Sequence, residues 1–268
     1  MKRAYVLFLC LIMAFAAIGC GKEEDDYGKV DHIKNSVEDE PMTPTATPTP
    51  TEDPVKPLVL CLDPGHGGRW EGAIYHGQQE RYLVLQLSKE IRAYINEHYP
   101  EITVYLTRED NETFSSDIGP DLRQRVEFAK NCGAQILVSI HLNASEKHNL
   151  RGTMVCISKQ PNIHDISVEL ANKLLDATAS IGIPKNGNTG YVTRNSGDTF
   201  DENGVPVDYY AICRHGASLN IPAVILESCF MDNDKDYEFI KDDAAIKRLA
   251  AVEAEAMARF MIEKFSKK

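Results

Sequence analysis

Four apolar runs, LVLCL (58–62), ILVSIHL (136–142), GTMVCIS (152–158) and PAVILESCF (222–230), constrain this chain most. They are short, and they carry apolar residues at successive positions rather than every second one. That pattern belongs to strands covered on both faces. Between the runs the period changes. ERYLVLQLSKEIRAYINEHY (80–99) places Leu83, Leu87, Ile91 and Ile95 four residues apart, which predicts an amphipathic helix. LRQRVEFAKNCG (122–133) predicts a short helix ending at Gly133, ISVELANKLLDATASIG (166–182) another, and AAIKRLAAVEAEAMARFMIEKF (244–265) a long closing one. ITVYLTR (102–108) alternates as a further strand, and residues 183–220, rich in Gly, Asn and Asp, are expected to be mostly loop. Strands and helices alternating at βαβ spacing predict an α/β fold. The expectation is a single domain with an open, twisted, mostly parallel or mixed sheet and helices on both faces. In such sheets, sites collect outside the carboxyl ends of the strands.

The chain opens with MKRAYVLFLCLIMAFAAIGC. Lys2 and Arg3 precede an apolar stretch from about Ala4 to Ala17, short for a membrane span and laid out like a secretory signal. A single transmembrane anchor is the alternative, but the stretch stops at the small residues Ala16-Ala17-Ile18-Gly19-Cys20. This patch resembles the bacterial lipobox, with Ala17 where leucine is more usual. It implies a lipoprotein signal peptide over 1–20, with Cys20 lipidated. Residues 21–57 hold ten carboxylates against four lysines, then alternate threonine and proline, and are expected to form a disordered tether. The folded domain is then 58–268, on an exported protein whose only membrane contact is its lipid anchor.

Of the formal charge of −11, the tether holds −6 and the signal segment +2, which leaves −7 on the domain. An acidic domain with no basic stripe argues against nucleic acid as a partner. Its five cysteines, Cys61, Cys132, Cys156, Cys213 and Cys229, form no CxxC pair. They read as small buried hydrophobes, and their odd number argues against a complete disulfide framework.

Three apolar runs deliver a polar side chain at or just past their ends. LVLCLDPGHGG delivers His66, ILVSIHLNAS delivers His141 with Asn143 two residues on, and PAVILESCF delivers Glu227. Glu80 opens the first long helix. Each has a plainer explanation alone: a hydrogen-bonded core histidine, a carboxylate favoured by a helix dipole, a buried ion pair. Together they make a ready metal site, because buried strand positions rarely hold charge without a partner. Two imidazoles and one carboxylate, with a fourth position open, form the catalytic zinc pattern, and a second carboxylate then serves as proton carrier. Gly65, Gly67 and Gly68 let the backbone bend beside such a site.

DPGHGG (63–68), Glu80, Thr107-Arg108 with Asp110, an arginine at 123 or 125, SIHLNA (139–144), GTM (152–154) and PAVILESCFMDN (222–233) occur in one order across 58–264. In this the chain resembles the zinc-dependent N-acetylmuramoyl-L-alanine amidases of the type-3 family, which cleave peptidoglycan. The resemblance implies one zinc ion on His66, Glu80 and His141, and Glu227 as catalytic carboxylate. It implies hydrolysis of the amide between N-acetylmuramic acid and L-alanine, by an exported monomer facing the cell wall. The family's usual E-x-G-F is Glu227-Ser228-Cys229-Phe230 here, a departure expected to narrow the wall beside Glu227. Some relatives carry an inhibitory helix after the second histidine, where residues 143–152 leave room only for a short loop. Asn143 and Arg194 are candidates for substrate contact or for structure alone, and Asp63 for orienting His66 or capping its turn. Three other readings stay open: a zinc peptidase or amidase acting within the stem peptide, a solute-binding lipoprotein, and an inactive wall-binding module. His76, four residues before Glu80, is the remaining histidine able to compete as a ligand.

Overall fold

The computed structural model describes residues 57–266. The expected signal peptide, Cys20 and the tether up to residue 56 lie outside the described residues. The chain runs β1 (Leu58–Pro64), β2 (Ile74–Tyr75), β3 (Gln78–Gln79), α1 (Glu80–His98), β4 (Ile102–Leu106), α2 (Ile118–Asn131), β5 (Ile136–Asn143), β6 (Met154–Cys156), α3 (His164–Ser180), β7 (Tyr191–Val192), β8 (Asn195–Phe200), β9 (Pro206–Asp208), α4 (Ala211–Ser218), β10 (Ala223–Phe230), α5 (Asp234–Tyr237) and α6 (Asp243–Phe265). Six strands form one sheet in the order β4-β1-β5-β10-β6-β7. Strands β4, β1, β5 and β10 run parallel, as do β6 and β7, and within this sheet only β10 with β6 is an antiparallel pair. This is the mixed, mostly parallel α/β sheet that the alternation of elements predicts.

The two faces of the sheet bury different layers. Leu58, Leu60 and Leu62 of β1, with Ile136, Val138 and Ile140 of β5, pack under α1, α3 and α6. The α1 stripe Leu83, Leu87, Ile91 and Ile95 is buried there, as its four-residue spacing requires. Cys61, Leu137, Ala223 and Ile225 point the other way, onto Val126 and Ala129 of α2 and Ile212 and Cys213 of α4. Each large apolar side chain so buried contributes on the order of 1.5–3 kcal/mol. After β1 the chain passes to β4 on one side and then back across to β5 on the other. The carboxyl end of β1 is therefore a switch point, where such sheets open a crevice.

Two expectations are corrected. Residues 183–220 are not mostly loop, since β7, the β8–β9 hairpin and α4 all fall there. The hairpin is exposed along β8 and so shows no apolar alternation, and α4 is short and contains Gly216. That glycine permits close packing: a Cβ on it would lie 2.5 Å from Ala223 Cβ. The helix expected from 122 begins at Ile118, one turn earlier.

All five cysteines of the described residues are free thiols, four of them buried. No helix among the described residues is long and apolar enough to cross a membrane.

Candidate metal centre

The side-chain parity that buries Cys61, Leu137 and Ile225 carries on toward the strand ends, where it presents Asp63, Ser139, His141 and Glu227 on the same face. Register then brings two of these together, because Glu227 of β10 pairs directly with His141 of β5. On the other side, the Gly65 N–H donates to Ile140 O at 2.9 Å and extends the pairing of β1 with β5. Gly65, His141 and Glu227 thus form one row across three strands. A Cβ on Gly65 would lie 2.3 Å from the His141 ring, so only glycine leaves the imidazole its place.

His66 follows at φ 62°, a left-handed conformation that non-glycine residues seldom adopt. Its carbonyl is held by Arg125 Nη2 at 2.6 Å, and Gly67 exchanges backbone hydrogen bonds with Trp70. This turn aims His66 Nε2 at Glu80 Oε1, 2.9 Å away. His141 Nδ1 reaches the same oxygen at 3.1 Å, and the Leu142 N–H donates to it at 3.0 Å. Glu80 Oε2 accepts from the Ala73 N–H at 2.9 Å. Ligand atoms of His66, Glu80 and His141 all lie within 4.8 Å of one another, and no other such group of His, Cys, Asp and Glu occurs among the described residues. Gly72 completes the cradle, since a Cβ there would fall 2.5 Å from Glu80 Oε2 and 2.8 Å from the His66 ring. His76 does not join the cluster; it sits in the β2–β3 turn against Tyr75 and Tyr237.

Burial alone would raise the Glu80 carboxyl, but hydrogen bonds with His141 and His66 outweigh it and hold the group ionised, well below the usual range. Burial would lower His141, and Glu80 and Glu227 together raise it. Glu227 shows the opposite balance. Desolvation outweighs the pull of His141, and the nearby Glu80 charge adds to it, so its carboxyl is pushed up to about 7, near the value a proton carrier needs. Two carboxylates beside the same histidine are thus driven apart, one fixed as an anion and one poised to titrate. A two-nitrogen, one-oxygen donor set converging on one point, roofed by glycines, fits a zinc ion with one open position.

Asp63 makes no hydrogen bond to the His66 ring. It is buried, with Oδ1 accepting from Thr107 at 2.5 Å and from Arg125 Nη1 at 2.9 Å, and Oδ2 accepting from Ser139 at 2.6 Å. Arg125 also binds Asp121 Oδ2 at 2.7 Å and the Pro64 carbonyl at 3.0 Å. Arg108 takes the Pro64 carbonyl at 2.9 Å and the Gly65 carbonyl at 2.8 Å. Two arginines therefore pin three successive carbonyls, and Asp63 reaches His66 only through Arg125. Burial would raise Asp63, yet Arg125 and the two hydroxyls keep it lowered. Asn143 bonds the following Ala144 N–H through its side chain. Arg194 is exposed and stacks on Tyr209, with its guanidinium carbon 3.8 Å from the ring centre. Tyr209, Tyr210 and Trp70 line a cavity of about 480 Å³ together with His66 and His141. No motif or periodicity signals these aromatics, because they come from irregular segments brought together by the fold.

The fold and cluster define a class: an α/β protein with a metal-competent His–Glu–His set at the carboxyl ends of parallel strands. Comparison with known proteins narrows that class. Residues 60–259 match the N-acetylmuramoyl-L-alanine amidase family Amidase_3, and the chain belongs to this family of hydrolases. It is 28% identical over 204 residues to the N-acetylmuramoyl-L-alanine amidase CwlM of Bacillus licheniformis, covering 75% of this chain and 68% of the relative. It is 26% identical over 212 residues to an endolysin of Bacillus phage SPP1, covering 76% and 66% respectively. The chain thus spans about two thirds of the length of both. The crystal structure of an N-acetylmuramoyl-L-alanine amidase from Clostridium difficile 630 shares the fold, with a TM-score of 0.61 at 23% identity over 77% of this chain and 98% of that one.

Proposed function

We propose that this protein hydrolyses the amide joining the lactyl group of N-acetylmuramic acid to L-alanine in peptidoglycan, with one zinc ion held by His66, Glu80 and His141. The convergence of both imidazoles on a single Glu80 oxygen carries the reading. A zinc ion at such a donor set polarises a carbonyl and makes water a nucleophile near neutral pH. Glu227, beside His141 in the sheet, takes the proton from the attacking water and delivers it to the departing alanine nitrogen. Its raised pKa suits both halves of that transfer. Glu80 and Arg125 act differently: the first is locked as an anion by two histidines, the second holds the His66 turn by its carbonyl.

The placement of this activity follows from the same reading. Cys20, lipidated, anchors the protein as a monomer on the outer face of the membrane, and the tether over 21–57 gives the domain reach into the wall.

The Glu227→Gln variant tests the mechanism. It is expected to keep stoichiometric zinc while losing roughly 10²- to 10⁴-fold in rate. Release of free lactyl ends from purified sacculi at the wild-type rate would refute the role. His66→Ala and His141→Ala are expected to lose zinc, and full zinc in both would refute the ligand set. Mass spectrometry of the digested muropeptides reports the bond cut, and cleavage within the stem peptide would replace the amidase reading with a peptidase one.

A further inference from the structure

Of the arginines on the segments around the metal centre only Arg125 lines the cavity itself, and almost all of them are already committed. Arg125 is taken up by Asp63, Asp121 and two carbonyls. Arg108 binds the carbonyls of Pro64, Gly65, Arg81 and Asp110. Arg81 bonds Gln79, Glu71 and the Gly68 carbonyl, and Arg69 pairs with Asp117 at 3.9 Å. Arg194 differs. Its guanidinium has no carboxylate, carbonyl or hydroxyl partner among the described residues, and it is held instead by the face of Tyr209 at 3.8 Å.

That platform is rigidly mounted. The Tyr209 N–H donates to the Arg194 carbonyl at 2.8 Å, and Arg214 Nη1 binds the carbonyls of Asp208 and Tyr209 at 2.8 and 3.3 Å. Stacking uses the flat face of a guanidinium, while its N–H donors lie in the plane and point outward. A stacked arginine with free edges is a preorganised two-pronged receptor for a carboxylate. In a domain of formal charge −7, such a fixed cation is the feature that lets an anionic group settle at the cavity.

We propose that Arg194, stacked on Tyr209, binds a carboxylate of the substrate's stem peptide at its second residue. This rests on the amidase reading above. A compact cavity of about 480 Å³ is roughly 8–10 Å across, and an extended chain advances about 3.3–3.6 Å per residue. From a scissile bond at His66 and His141, Tyr209 on the cavity wall is therefore reached by the second or third residue and not by the far end of a pentapeptide, and Arg194 lies on the face of that ring. The second residue of stem peptides is acidic and joined onward through its γ-carboxyl, which leaves its α-carboxyl free or amidated. Arg194 accordingly distinguishes the carboxylate form from the amide.

The test compares soluble muramyl peptides that differ only in that group, isoglutamate against isoglutamine, for wild type, Arg194→Met, Arg194→Lys and Tyr209→Phe. Wild type is expected to show a KM at least roughly tenfold lower for the carboxylate, the scale of a charge-assisted hydrogen-bond pair. Arg194→Met equalises the two KM values with kcat little changed, Arg194→Lys restores only part of the difference, and Tyr209→Phe, which keeps the stacking face, retains it. Equal KM values in wild type, or a preference that survives in Arg194→Met, would overturn the proposal. Calorimetry of L-alanyl-D-isoglutamate and its amide binding to Glu227→Gln, with and without Arg194→Met, separates the two readings. Arg194-dependent preference without any amide cleavage would sink the amidase reading alone. Cleavage without preference would sink this inference alone.

Discussion

Glu253 sits on α6 with its side chain fully buried, and neither carboxyl oxygen has a hydrogen-bond partner. Beside it lies the buried Ser228, next to Glu227 in the chain, whose hydroxyl draws the carboxyl down by less than burial pushes it up. Desolvation with no cation to offset it raises the carboxyl from its ordinary 4.5 to about 8, so the folded protein holds Glu253 neutral at pH 7. The unfolded chain releases that proton near 4.5. Folding therefore takes up a proton between those limits, and stability falls as pH rises through them. Each pH unit is worth about 1.4 kcal/mol, so the penalty is absent below pH 4.5, about 3 kcal/mol at pH 7, and levels off above pH 8 at about 5 kcal/mol. Glu253→Gln keeps the shape and never ionises. Urea denaturation at a series of pH values is expected to show the two proteins equally stable near pH 4.5 and the variant about 3 kcal/mol more stable at pH 7. Stability profiles that run parallel from pH 4.5 to 8 would refute the argument, because they would mean that Glu253 ionises alike in both states.

The other perturbations address the frame of the site. Arg125→Met removes the guanidinium that Asp63 and Asp121 share in the interior and is expected to cost about 3–5 kcal/mol in chemical denaturation, whereas a loss below about 1 kcal/mol would show that the network is dispensable. Gly65→Ala places a methyl group against the His141 ring and is expected to weaken zinc binding roughly 10- to 100-fold while the circular dichroism spectrum stays unchanged; unaltered affinity in a chelator competition would refute the crowding argument.

Much of this architecture is written locally. The four-residue stripe of α1 and the unbroken apolar runs of β1, β5 and β10 follow from which residues neighbour one another along the chain, so a helix and three buried strands were readable from sequence. The same holds for His66, His141 and Glu227, which stand out as polar groups at the ends of apolar runs, and for Glu80 at the opening of a helix. The β8–β9 hairpin and α4 escaped because exposed strands carry no alternation and a short helix with an internal glycine carries little periodicity.

Partnership was decided elsewhere. Nothing in DPGHGG shows that Asp63 spends its charge on Arg125, 62 residues away, and reaches His66 only through it. The pairing of Glu227 with His141 is a matter of strand register, and register is set by whole sheets rather than by either strand. Glu253, in a helix rich in charge, reads as a solvated residue until α6 is laid against β10. Arg194 looks like one loop arginine among several until the other cations find their carboxylates and carbonyls. Hydrophobic periodicity is local and survives in the one-dimensional chain. Charge compensation and burial are long-range, and they acquired their values here only when the tertiary structure chose which groups would meet.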